Sequence, residues 1–184
     1  MIDLLLPMSI ATGLLTWILI ARWYVLPWLR DQTPEAALTP LLLLNAFRYV
    51  GLAFLIPGVT AEALDPRFAN PAAWGDFAAA IFALISLLAL KQGWKSANGI
   101  IWAFNVFGAL DLVNAITQGL RYTIDGHLGS TYFIPALIVP ALLVAHGLIA
   151  IIQIKGTNRQ KKRTQKPADQ AARAKRGPVL YADG

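Results

Sequence analysis

The sequence predicts an all-α integral membrane protein, a five-transmembrane-helix bundle with its N-terminus outside and its C-terminus in the cytoplasm. Three observations carry this. Of 184 residues, 57% are hydrophobic and only 14% charged, where soluble domains run to about a quarter charged. Long apolar stretches recur, the clearest being residues 126–154, which contain no Asp, Glu, Lys or Arg. A hydrocarbon core about 30 Å thick needs roughly 20 such helical residues. Finally, Lys and Arg fall unequally on alternate sides of the stretches.

The spacing of charges places the first span over residues 3–21. A cleaved signal is the alternative, but Met1-Ile2-Asp3 lacks the basic n-region that signals carry. The run therefore reads as a retained span ending at Arg22-Trp23-Tyr24. The second span covers 38–58 and is interrupted only by Arg48. The third covers 74–91 and is the short one, since only 14 residues separate Asp76 from Lys91. At 1.5 Å per residue those cover roughly 21 Å, so a full crossing requires Asp76 at one interface and Lys91 snorkelling to the other. The fourth covers 97–119, interrupted only by Asp111, and the fifth 131–154. Pro140 lies inside the fifth and should bend it. The longest connection, Val59 to Gly75, contains Asp65-Pro66, Asn70-Pro71 and Trp74-Gly75 and reads as a turn-rich loop over the bundle.

With the N-terminus outside, the inner side holds thirteen Lys/Arg and the outer side only Arg67 and Arg121, with Arg48 in the membrane. Trp23, Trp28 and Trp94 then fall at the inner interface and Trp74 at the outer one. The net charge of +6 sits in the tail: residues 155–184 hold nine Lys/Arg against Asp169 and Asp183, leaving the body at −1. Two units follow, a transmembrane domain 1–154 and a basic, disordered cytoplasmic tail 155–184. Clustered bases beside a span attract anionic lipid headgroups. The tail lacks the aromatic–basic interleaving of nucleic-acid binders, so nucleic acid is not an expected partner. Localisation in the cell membrane follows from the five spans.

Polar residues inside spans are the candidates for function, because hydrocarbon makes them costly. Arg48 requires a counter-ion, and Asp111 is the one acid expected deep in any span. Counted from the inner ends of their helices the two differ in depth by four residues, about 6 Å, within reach of an extended arginine. Asn114, Gln118 and Arg121 follow Asp111 at i+3, i+7 and i+10, forming a stripe on one helix face. Asn45 shares a face with Arg48. Together Asn45, Arg48, Asp111, Asn114 and Gln118 are expected to line a polar cavity that binds or passes a small polar or anionic solute. Arg48 would supply the fixed charge and Asp111 a protonatable counter-ion. The alternative function is an accessory or scaffold subunit, in which the stripe docks a partner helix or a second copy of the chain.

Asn105 and His146 are predicted at similar depth and form a secondary candidate pair with Arg121 as a third residue. Two histidines at opposite levels and no cysteine leave no set of ligands for a metal, and no cofactor is expected. No H-E-x-x-H is present, and Gly108-Ala-Leu-Asp111 lacks the second glycine of a G-x-G-D site. The sequence thus leans away from an enzyme. A lipid-modifying activity would have to use Asp76 or Asp125 at headgroup depth.

Overall fold

The computed structural model describes residues 4–61, 64–122, 124 and 126–156. Among these the chain is 86% helical with no strands, and five helices are long and apolar enough to span a membrane. They are α1 (Leu5–Arg30), α2 (Pro34–Leu55), α3 (Pro66–Lys91), α4 (Ala97–Arg121) and α5 (Gly129–Gly156). Met1–Asp3, Asp125 and the tail beyond Gly156 lie outside the described residues, as do the expectations that fall on them.

The starts of α2 and α3 follow capping chemistry rather than charge positions. Thr33 caps α2 by accepting a hydrogen bond from the Ala36 amide at 3.2 Å, and Pro34 takes the first helical position, where a missing N–H costs nothing. Asp65 does the same for α3, accepting from the Arg67 amide at 2.8 Å, again with proline next. This corrects the expected loop from Val59 to Gly75. Asn70-Pro71 and Trp74-Gly75 are helical, and only about ten residues between Leu55 and Pro66 connect α2 to α3. The third helix is therefore 26 residues long, and Asp76 lies ten residues inside it rather than at an end.

The first helix also outruns its expected end, continuing through Arg22-Trp23-Tyr24 to Arg30 by way of a π-turn over Ala21–Val25. A second π-turn spans Ile134–Ile138. Both stand at the same distance before a proline, Pro27 and Pro140. In each the wide turn is closed by an amide reaching back five residues, Leu26 to Ala21 and Val139 to Ile134. The wider turn accommodates a proline ring that would otherwise strike the carbonyl four residues earlier.

The helices alternate in direction. Leu6, Phe54, Phe68, Gly119 and Ile134, from five different helices, meet around one crevice near the start of α1. At the other end Lys91 bridges Glu35 at 3.2 Å, and Gln153 donates to the carbonyl and side-chain oxygens of Asn98 at 3.1 and 3.2 Å. Small residues let α3 sit centrally: Ala73, Ala79, Ala83, Ser86 and Ala89 are fully buried. In lipid such faces associate through close packing rather than through a hydrophobic effect.

Helix α1 docks on α5 through three contacts one turn apart. Ser9 Oγ and Tyr132 OH share a hydrogen bond of 2.8 Å, and Trp17 Nε1 donates to the Leu137 carbonyl at 3.1 Å. Between them a Cβ on Gly13 would stand 2.5 Å from the Ala136 carbonyl oxygen. That carbonyl is the one Pro140 deprives of its helical partner.

Candidate functional site

The last part of α2, Phe47–Leu55, winds as a 3₁₀ helix. Three residues per turn put Arg48, Gly51 and Phe54 in line, and all three are buried. Arg48 is thereby aimed across the bundle at α3 and α4. Its Nε donates to Asp76 Oδ1 at 2.9 Å, its Nη1 to the Gly108 carbonyl at 3.0 Å and its Nη2 to Asp111 Oδ2 at 2.5 Å. Nη2 also lies 2.8 Å from Asp76 Oδ1. The guanidinium side chain has no exposed surface, whereas the Asp76 and Asp111 side chains are 12% and 14% exposed.

Arg48 and Asp111 thus meet, and Asp76 joins them. Asp111 is not the only deep acid, and the reading of Asp76 as an interfacial group is corrected: it is buried, and its Oδ1 takes two contacts from Arg48. The signal that was missed is the glycine beside each charged residue. A Cβ on Gly51 would overlap the Asp76 carboxylate, one on Gly75 the Asp111 carboxylate, and one on Gly108 the His146 ring. Each glycine on one helix makes room for the ionisable group of the next, from α2 through α5.

The secondary candidates pair as their depths implied. His146 Nδ1 and Asn105 Oδ1 are 2.8 Å apart and buried. Since Oδ1 only accepts, Nδ1 carries the proton in this arrangement. Nε2 then has no partner among the described residues. It sits beside Gly108 and Arg48 Nη1, 2.8 and 3.0 Å from the point where a Gly108 Cβ would stand. A buried ring nitrogen left without a partner among the described residues is an unusual expense.

The rest of the expected set disperses. Asn45 is fully buried but turns its Nδ2 back to the Leu41 carbonyl at 2.9 Å, making no bond to Arg48. Asn114 is exposed on the outer face of α4, beside Leu110 and Val113. Gln118 is half-buried with its Oε1 unpartnered among the described residues. Arg121 is exposed, its guanidinium carbon 5.8 Å from the Tyr122 ring centre.

The crevice that reaches the centre is apolar. Residues from all five helices line it, and the only ionisable one among the described residues is Asp76. Measured to its open mouth it encloses about 460 Å3. It is a slender slot, with Phe54 and Phe68 packed edge to face at 5.4 Å along its wall.

These features occur within a recognised family. The chain belongs to the family described as a domain of unknown function, DUF8737, whose profile matches residues 5–153. That stretch contains all five helices nearly whole, together with Arg48, Asp76, Asp111 and His146. No curated protein and no solved structure matches the chain.

Proposed function

We propose that this chain is a multi-pass protein of the cell membrane, N-terminus outside and C-terminus in the cytoplasm, that receives a small solute in the slot leading to Arg48, Asp76 and Asp111. One observation supports this above the others: a crevice assembled from all five helices ends on a carboxylate bound to the most deeply buried charge in the described structure. A solitary arginine favoured an anionic solute. With two acids to one base and no exposed guanidinium surface, the reachable groups are the carboxylates, and Arg48 acts as their support. Protonation of Asp111 would loosen the set by releasing one of the two carboxylates that Arg48 holds. The basic tail fixes the cytoplasmic end and lies against anionic lipid headgroups.

Cysteine labelling tests the pocket directly, because the native chain has no cysteine. Ala115→Cys, on the slot wall, should react with a water-soluble thiol reagent added outside intact cells. Ala103→Cys, on the outward face of α4, should not. Equal protection of both would remove the pocket as an entry route.

A second reading has its own observation. Asn114 presents an amide on an apolar outer face, where hydrocarbon offers no partner. An accessory or scaffold subunit would bury that amide against a partner helix or against a second copy of the chain.

A further inference from the structure

We infer that the solute is an organic ammonium with a slender apolar body, its cationic head on Asp76 and its body along Phe54 and Phe68. This rests on the proposed role of the slot and names the chemical class that fits it.

Charge comes first. Arg48 carries one positive charge, while Asp76 and Asp111 carry two negative ones when ionised. Among the described residues no other Lys or Arg contacts the three, and His146 makes its hydrogen bond with Asn105. With both acids ionised the centre is one positive charge short, at a depth where unbalanced charge is costly. A cation completes it; an anion deepens the imbalance unless protons enter with it.

The carboxylate geometry agrees. Asp76 spends Oδ1 on both contacts with Arg48, and none of the hydrogen bonds found reaches its Oδ2. That residue also lines the slot. Oδ2 packs beside Gly51, and an N–H donor that reaches it there would form a charge-assisted bond.

The wall decides which cation. Hydrated metal ions need oxygen ligands at several positions, and this slot supplies one carboxylate among apolar side chains. Phe54 and Phe68, packed edge to face with ring centres 5.4 Å apart, line the slot and give an apolar body an aromatic wall. The apolar bore suits an alkyl body. Carboxylate, aromatic wall and apolar bore together describe a receptor for an alkylammonium.

The test compares three probes of one length, hexylammonium, hexanol and hexanoate, binding at neutral pH to the full chain in detergent micelles. Saturable binding of hexylammonium at least tenfold tighter than that of the other two is expected. Asp76→Asn should abolish this preference while the protein stays folded, since Arg48 keeps Asp111, and Ala115→Phe should weaken binding by filling the slot. Tighter binding of hexanoate would overturn the inference and return the site to an anion, leaving the pocket's role intact. Equal binding of all three, or none, would overturn it as well; labelling at Ala115→Cys reports separately on whether the pocket itself is open.

Discussion

The Asp76 carboxylate fills the space that a side chain on Gly51 would need. Gly51 follows Arg48 by one turn of a 3₁₀ helix, so the residue that admits the acid and the residue that binds it share a face. Gly51→Ala should therefore cost about 1–3 kcal/mol through overpacking against a group that cannot retreat without leaving Arg48. Thermal unfolding in detergent measures it. Gly99→Ala, where a Cβ meets open space on α4, is the control and should be neutral or slightly stabilising.

Removing charges should be asymmetric. Arg48→Met strands two carboxylates and should destabilise by about 3–5 kcal/mol. Asp76→Asn leaves Arg48 paired with Asp111 and removes the surplus negative charge, so its cost should be clearly smaller. The unfolding midpoints of the two variants, taken side by side, check this order.

The docking of α1 depends on a glycine. Gly13→Leu places side-chain atoms on the Ala136 carbonyl and should release α1 from α5, exposing its buried residue Leu6. Trp17→Phe, which removes only the bond to Leu137, should cost about 0.5–1.5 kcal/mol. Limited proteolysis between α1 and α2 separates the two: fast cleavage is expected for the leucine variant and little change for phenylalanine.

Outside the spans, the side-chain bond from Arg67 holds the Asp65 carboxyl below its ordinary value of 3.8, and the Arg67 amide that it caps acts in the same direction. A carboxyl with a depressed value stabilises the folded state at pH above 3.8, and that contribution disappears as pH falls through the lower, folded value. The first turn of α3 should therefore fray in strong acid, and Asp65→Asn, which keeps the cap but not the charge, should remove the pH dependence. Hydrogen exchange of the amides at Arg67 and Phe68 across that acid range checks it.

The two predictions on the charged centre also show what the sequence conveyed. Five apolar helices and the Arg48–Asp111 contact were legible because hydrocarbon length and the cost of a lone charge are strong constraints. Asn105 with His146 was legible from depth alone. Asp76 was not, because an acid followed by fourteen uncharged residues looks like a boundary. The capping pair Asp65-Pro66, read as a loop turn, in fact starts α3 and carries Asp76 inward. The stripe through Asn114 and Gln118 failed for another reason. A 100° periodicity identifies a face but not what covers it, and the tight contacts at Gly75 and Gly108 rotate α4 so that Asp111 points inward and Asn114 outward. Glycines within one helical turn of charged residues, Gly51, Gly75 and Gly108, were the available marker.

The claim on which the rest depends is that one arginine holds two carboxylates inside the bundle. A thermodynamic cycle tests it most directly: unfolding midpoints of Arg48→Met, of Asp76→Asn with Asp111→Asn, and of all three substitutions together. The account predicts that the triple variant is far less destabilised than the sum of the two parts, with a coupling of about 1–3 kcal/mol. Additive losses would mean that Arg48 and the two carboxylates do not interact, contradicting the account.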